Sequence, residues 1–454
     1  MATQRYDIAV IGLGPGGEHV AGELASAGLS VLAVDHRLVG GECPYWACIP
    51  SKMMVRAATS LAEARRVPLL AGATAEVIPD WSPVADRIRD EATDDWDDKA
   101  AVDRLTGKGA TFVRGTGRVV SANEVEVDGE LYAIGRGIVV NTGTNPLIPP
   151  IDGIEDVDIW TNRDLVEARE LPSSIVILGG GAIGCEFGQV LARFGVDVTI
   201  VESGPRLLSN EEPEASDRLR QLFEDEGVQV RLGATATKVS ASDGRVELGL
   251  DDGSSVTGER LLVATGRRVD PAAAGLDRVG VDPGAHAVPV DDRCRVTDGV
   301  WAIGDITGKG AFTHVSMYQA GIVVRDLLGQ DGPVADYRAL PRVTFTEPEV
   351  GAVGLTEAQA RDQGIDVRTG SVPIAQTSRG FIQGPGNEGI LKLVEDAGRG
   401  VLVGATTMGP AGGEVLGALS VAVHAEVPVE TLRSMIYAYP TFHRGIETAL
   451  GDLG

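Results

Sequence analysis

A strand, a glycine-rich turn, a helix and a second strand ending in an acidic residue follow one another twice in this chain, and that repeat leaves few folds open. Ile8-Ala9-Val10-Ile11 is a short apolar strand, followed by Gly12-Leu13-Gly14-Pro15-Gly16-Gly17, an amphipathic stretch to about Ala27, and a strand from Ser30 to Val34 ending at Asp35. This is the context that turns a glycine motif into the opening βαβ unit of a dinucleotide-binding domain. Gly12 makes the tight turn, Gly14 lets a pyrophosphate approach the backbone, and Gly17 allows the helix to pack closely on the strand, while Asp35 is placed to bind a ribose hydroxyl. The unit recurs as the strand Ser174 to Leu178, Gly179-Gly180-Gly181-Ala182-Ile183-Gly184, a helix to about Phe194, the strand Asp197 to Val201, and Glu202. Gly179, Gly181 and Gly184 repeat the three glycine roles. Two such units imply two dinucleotides.

An acidic residue at the strand end accepts from a ribose 2′-hydroxyl and repels a 2′-phosphate, so Glu202 favours NADH over NADPH, although Arg206, four residues on, leaves room for NADPH. Leu261 to Arg268 reads as a buried strand leading into a cofactor-facing turn at Gly266, and Val139-Val140-Asn141-Thr142-Gly143 reads as its counterpart in the first unit. Beyond Pro341, strands such as Gly389 to Val394 alternate with helices such as Glu357 to Gln363, a third, α+β pattern. The fold class expected is therefore α/β, with two Rossmann-like dinucleotide-binding domains and a C-terminal α+β domain. Between Asp80 and Asp103 the chain is strongly acidic, and we read this stretch as an exposed helix anchored by Trp81 and Trp96.

Between the first unit and a predicted helix stands Gly40-Gly41-Glu42-Cys43-Pro44-Tyr45-Trp46-Ala47-Cys48-Ile49-Pro50-Ser51-Lys52, two cysteines with four residues between them. Only four cysteines occur in 454 residues, so this is no disulfide scaffold, and a close pair in a reducing compartment points to redox or metal chemistry. No second C-x-x-C or histidine pair completes a zinc site, so no metal is expected. Cys48 falls at a helix N-terminus near Lys52, where unpaired amides and a cation both favour a thiolate. Cys185, on a packed helix, and Cys294, in an apparent strand, read as small buried hydrophobes. A net charge of −25 argues against a nucleic-acid partner. With no leader before the first strand and no bilayer-length apolar run, we expect a cytoplasmic protein without membrane association.

Taken in order, the Gly12 unit, the Cys43/Cys48 segment, the Gly179 unit, Ala264-Thr265-Gly266-Arg267, Ala302-Ile303-Gly304-Asp305 and Phe345-Thr346-Glu347-Pro348-Glu349 resemble the FAD-dependent pyridine nucleotide-disulfide oxidoreductases, the family of dihydrolipoamide dehydrogenase, glutathione reductase and mercuric reductase. The resemblance spans nearly the whole chain. It implies an FAD-binding domain over 1–150, an NAD(P)H-binding domain over 151–270, a return to the FAD domain over 271–338 and a dimerisation domain over 339–454. FAD would contact Gly12, Gly14, Gly17, Asp35, Gly41, Lys52, Gly117, Thr142, Gly143 and Gly304, with Asp305 at its ribityl or phosphate portion and Ala311 to His314 near the flavin. The nicotinamide cofactor would lie on the second unit. The resemblance further implies electron flow from NADH through flavin to a Cys43–Cys48 disulfide, with Cys48 as the charge-transfer thiolate and Cys43 facing the substrate. Lys52 would pair with Glu186 beside the flavin. A homodimer is implied, the C-terminal domain of each subunit completing the disulfide site of the other.

Two departures from the family pattern bear on the substrate. Disulfide-reducing members carry His-Pro-Thr near the C-terminus with a glutamate three residues after the threonine; here the segment is Tyr439-Pro440-Thr441-Phe442-His443-Arg444, with Tyr439 at the histidine position and Arg444 at the glutamate position. Thiol–disulfide exchange needs a proton for the leaving sulfur, and a group with a pKa near ambient pH delivers it best. Tyr439 can serve as a hydrogen-bond donor; if Thr441 onward is helical, His443 and Glu447 share a face and form a replacement dyad, but we favour a His443 that simply caps or faces solvent, because the shifted position must still reach Cys43. Bulky Tyr45 and Trp46 between the cysteines, with Tyr437 and Tyr439, suggest an aromatic-lined pocket. The expected activity is electron transfer between NAD(P)H and a low-molecular-weight disulfide or dithiol. The alternatives are flavin-based reduction of quinones or other acceptors, and a dihydrolipoamide dehydrogenase-like component.

Overall fold

A computed structural model describes residues 4–453, in a mixed α/β fold. Two compact units partition the chain: one from Met1–Ser51, Asp86–Leu147 and Arg267–Asp336, the other from Lys52–Ala85, Ile148–Gly266 and Tyr337–Gly454.

In the first unit the strand Gln4–Ile11 lies between Val31–Asp35 and Glu130–Val140 and runs parallel to both. Its apolar run is shielded on both faces, as a central parallel strand requires. Thr111–Arg114 extends the parallel sheet on one side and Val300–Ala302 on the other, and antiparallel strands bring the total to eight. The helices Pro15–Ser26 and Thr313–Leu327 cover one face through Val20, Leu24, Val323 and Leu327; Val119, Val125, Leu276 and Ile306 fill the other. The carboxyl ends of the parallel strands open onto the turns at Gly12, Thr142 and Gly304, where open α/β sheets bind ligands.

The second unit holds a five-stranded parallel sheet ordered Gln229–Leu232, Asp197–Glu202, Ser174–Leu178, Arg260–Val263 and Ile159–Trp160. The same unit contains a five-stranded antiparallel sheet in which Val401–Gly409 lies between Glu349–Gly354 and Ile390–Asp396. Its apolar face packs on Gly412–His424 and Gly445–Gly451 around Leu391, Leu393, Leu416, Leu419, Ile446 and Leu450. Lys392, on the outer side of this sheet and 6% exposed, is surrounded by Glu212 at 2.9 Å, Glu214 at 2.7 Å and Glu357 at 2.9 Å.

Local expectations fail at three places. Cys294 is not in a strand; it is a fully buried turn residue with φ of +64°. The acidic stretch is not one helix: Ser82–Arg87 passes into a π-helical turn at Ile88–Ala92, and Asp94, Asp95 and Trp96 then take φ of 50°, 55° and 59° before a helix at Lys99–Gly107. The C-terminal helix starts at Gly445 and not at Thr441, because Thr441 spends its hydroxyl on the Ala438 carbonyl at 2.7 Å in a preceding turn.

Candidate active site

Both glycine units have the shape a dinucleotide needs. In the first, a Cβ on Gly12 would sit 2.4 Å from the Asn141 carbonyl oxygen and one on Gly17 2.0 Å from that of Gly12, so these two serve packing. Gly14 by contrast would meet only the Asn141 amide, at 3.3 Å, and as the cap residue it has no side chain to cover the exposed N–H groups of its helix. In the second, Gly179 and Gly184 are equally tight, whereas nothing lies within 4 Å of a Cβ on Gly181. Open space in front of unpaired amides at a helix N-terminus is where a pyrophosphate binds. Asp35 closes the first turn by accepting from Leu13 N at 2.7 Å, and Glu202 closes the second by accepting from Gly180 N and Gly204 N, both at 2.6 Å. The residues present therefore fit FAD and a nicotinamide dinucleotide.

The redox loop grows directly out of the first cradle. Gly41 has φ of +68°, and a Cβ there would lie 2.7 Å from the Gly14 Cα, so only glycine brings the loop this close. Glu42–Tyr45 makes one helical turn carrying Cys43, and Cys48 begins the 23-residue helix Cys48–Leu70. Cys43 and Cys48 are thiols, hydrogen-bonded to each other. Donation to Cys48 pushes the Cys43 thiol up, and burial pushes it further. Cys48 also meets the Thr313 hydroxyl at 3.4 Å. Thr313 sits in the first turn of the helix Thr313–Leu327, inside the Ala311–His314 segment; Ala311 and His314 are exposed, and His314 stacks on Phe312 at 5.0 Å.

Within the second unit, Lys52 Nζ lies 2.7 Å from Glu186, a carboxylate 7% exposed, and 4.6 Å above the Phe345 ring. The Phe345 N–H donates to the other Glu186 oxygen at 2.8 Å, so one residue fixes both members of the pair. Glu347, two residues on, is held between Arg66 and Arg193. Burial pushes its carboxyl up, but the two guanidiniums outweigh that and hold it below its usual range.

The structure adds contacts that spacing along the chain does not reveal. Arg267 donates to Glu42 at 2.8 Å and to the Thr144 hydroxyl at 2.6 Å, and Thr144 reaches Asp305 at 3.2 Å. Burial raises both Glu42 and Asp305, with Arg267 opposing it. This chain ties the redox loop to the acidic residue expected at FAD. Gly304 N donates to Gln319 at 2.6 Å, while Gly143 and Gly266 face open space with φ of 67° and 120°. Gly117 lies in a strand where a Cβ would press on Ile11 and Val34 at 3.0 and 3.1 Å.

The C-terminal segment does not build the dyad considered above. Glu447 is taken by Arg444 at 2.7 Å, and His443 lies ahead of the helix with its ring 6.2 Å from that of Tyr437. Arg444 also covers the Tyr439 ring at 5.4 Å, leaving Tyr439 68% exposed. Tyr45 and Tyr437 are buried, the latter donating its hydroxyl to the Leu432 carbonyl at 3.0 Å, so neither is an open stacking platform within its unit.

Among known proteins, residues 6–320 match the pyridine nucleotide-disulphide oxidoreductase family and residues 340–450 match its dimerisation domain. Dihydrolipoyl dehydrogenase from Chlorobaculum tepidum is 33% identical over 460 residues, covering 99% of this chain and 97% of that protein. Mercuric reductase from Bacillus cereus is 29% identical over 451 residues, covering 98% of this chain and 71% of that one. Solved structures similar over essentially both full chains include the copper(II) complex of the HOCl-induced flavoprotein disulfide reductase RclA from Escherichia coli, at 26% identity and a TM-score of 0.86, and LpdA from Mycobacterium tuberculosis, at 25% and 0.86. With two dinucleotide cradles, a dithiol loop issuing from the first and family models matching residues 6–320 and 340–450, the chain belongs to the pyridine nucleotide-disulphide oxidoreductases, FAD enzymes that link NAD(P)H to a disulfide–dithiol couple.

Proposed function

We propose that the enzyme transfers two electrons between NADH and a low-molecular-weight disulfide, or runs the same exchange from the matching dithiol, through Cys43 and Cys48. What supports this reading is the cysteine pair itself, Cys43 on the turn that leaves the first cradle and Cys48 at the N-terminus of a long helix. Bound FAD supplies the two-electron exchange between nicotinamide and dithiol. Once Cys43 has lost its proton, its sulfur attacks the external disulfide and one substrate thiol leaves with a proton. Cys48 then attacks Cys43, the second substrate thiol leaves, and a Cys43–Cys48 disulfide is left. Lys52, anchored by Glu186, supplies positive charge where the reduced ring would be anionic. NADH is preferred because both Glu202 oxygens line the second cradle and Arg206 is turned to the Ser209 carbonyl at 3.0 Å. A homodimer brings Tyr439 and His443 of one subunit toward the other's Cys43, as proton donor candidates.

A second acceptor class is favoured by one observation: with Glu447 paired to Arg444, the segment holds no histidine–carboxylate dyad to protonate a leaving thiol. A thiophilic metal ion needs two thiolates and no such proton. Anaerobic NADH titration of the holoenzyme tests the shared premise. A long-wavelength thiolate-to-flavin band with oxidised flavin supports the dithiol as electron store; direct bleaching without the band overturns it. NADH oxidation with disulfides against copper(II) or mercury(II) then separates the acceptors.

A further inference from the structure

The acidic surface stretch does something that neither its charge nor its burial explains. Asp94, Asp95 and Trp96 occupy the left-handed region in succession, immediately after the π-helical turn Ile88–Ala92. Aspartate tolerates that conformation; tryptophan does so only when the surroundings force it. Here they do. The buried Thr93 hydroxyl bonds the Ile88 and Arg89 carbonyls at 3.0 and 3.1 Å, Asp95 N donates to the Arg89 carbonyl at 2.7 Å, and Trp96 N approaches the Thr93 hydroxyl at 3.4 Å. Strain maintained this way clusters at functional sites, and so do π-helical turns.

The strained turn delivers the Trp96 indole N–H to the Tyr45 carbonyl, at 3.3 Å. Tyr45 ends the single helical turn that carries Cys43, so its carbonyl belongs to the group that such a turn leaves without an internal donor. Two residues beyond Trp96, Asp98 accepts from Val39 N at 2.7 Å, just ahead of Gly40, and is itself held by Arg114. The segment therefore grips the redox loop on either side of Cys43. We infer that Trp96 is a positioning residue for the Cys43–Cys48 pair, fixing the Tyr45 carbonyl and with it the loop geometry of the dithiol form. We take the contact to be tighter in the dithiol form, in which both cysteines are free, so its loss shifts the couple toward the disulfide.

This inference rests on Cys43 and Cys48 being the redox pair. The test is Trp96→Phe, which keeps an aromatic ring and removes the donor, made as holoenzyme and equilibrated in glutathione buffers, where dithiol plus oxidised glutathione gives enzyme disulfide plus two reduced glutathiones. Alkylation of the remaining thiols reads the equilibrium. We expect a threefold to tenfold shift toward the disulfide, the upper value corresponding to about 30 mV for a two-electron couple. Asp95→Gly, which relieves strain without touching the indole, should leave the equilibrium within twofold of wild type. An unchanged equilibrium in Trp96→Phe, or a shift toward the dithiol, overturns the inference, even with a lowered thermal midpoint, because a mere packing anchor would produce that result. If Trp96→Phe does not retain FAD, Asp98→Asn, which weakens the second grip, must shift the equilibrium the same way or the inference falls. Failure of the underlying reading looks different: wild-type enzyme itself shows no thiolate-to-flavin band.

Discussion

Replacing Lys392 by methionine should destabilise the protein in a way that depends on pH. The ammonium is 6% exposed and answers three carboxylates, of which Glu212 is 3% exposed. Burial pushes the lysine down, but the three partners outweigh it and hold its pKa above the ordinary lysine value. A raised lysine contributes stability that is fully present below the unfolded pKa of about 10.4 and is lost only as pH rises through the folded value, so the wild type gains no slope from Lys392 at neutral pH. In Lys392→Met, the oxygens of Glu212, Glu214 and Glu357 remain within 4.8 Å of one another. Two charges at that separation repel by roughly 3 kcal/mol at an effective dielectric of 20. Glu214 and Glu357 are 45% and 30% exposed, and Glu212 keeps the Glu357 N–H at 2.7 Å, so the repulsion is partly screened. Stranding a buried charge costs about 3–5 kcal/mol, and the screening favours the lower end, about 3 kcal/mol. For a lobe of this size that is roughly 6–12 °C in thermal midpoint. Acid neutralises carboxylates that repel one another, so the deficit should be present at pH 7.5 and shrink as pH falls toward 5. Thermal scans of holoenzyme at both pH values provide the assay. An equal deficit at both, or none at pH 7.5, would refute the electrostatic account.

Three further outcomes follow from the site. Cys48→Ser should remove both the long-wavelength band and at least 1,000-fold of disulfide turnover in stopped-flow and steady-state assays, on the scale of losing an activated nucleophile; undiminished turnover would exclude the dithiol route. Phe345→Leu removes the ring beneath Lys52, a contact worth about 0.5–2 kcal/mol, and should lower the flavin reduction potential, while Phe345→Tyr holds it; spectroelectrochemistry gives the answer. Glu202→Ala should narrow the preference for NADH over NADPH about tenfold in kcat/KM, a loss of roughly 1.4 kcal/mol of discrimination, and an unchanged ratio would remove Glu202 from that role.

What could be read from the sequence was whatever is decided by neighbours along the chain. The Gly12 and Gly179 units were legible because the reason for Gly12, Gly17, Gly179 and Gly184, a carbonyl within 2.0–2.4 Å, lies in the same turn or on the adjoining strand. The dithiol loop was legible from spacing. Its supports were not: Glu42, Thr144 and Arg267 are brought to Asp305 from distant stretches, and no spacing along the chain records that these four side chains meet. Thr313 approaches Cys48 across 265 positions. Trp96 was misread because an acidic, amphipathic stretch satisfies a helical pattern while the backbone departs from it through Thr93. Around His443, the spacing to Glu447 makes a dyad only if the helix begins at Thr441; it begins at Gly445, and Arg444 takes the carboxylate.

Glu347 has a consequence for how such a chain can diverge. It answers Arg66 and Arg193, its carbonyl accepts from Gln189 at 2.7 Å, and its N–H donates to the same side chain at 2.7 Å, so one residue joins two helices to the entry of the last domain. Drift at any one of these positions strands a charge or an amide at the others. Descendants of this enzyme should therefore inherit Arg66, Gln189, Arg193 and Glu347 as a block, exchanged together or kept together, while the exposed residues around them vary independently.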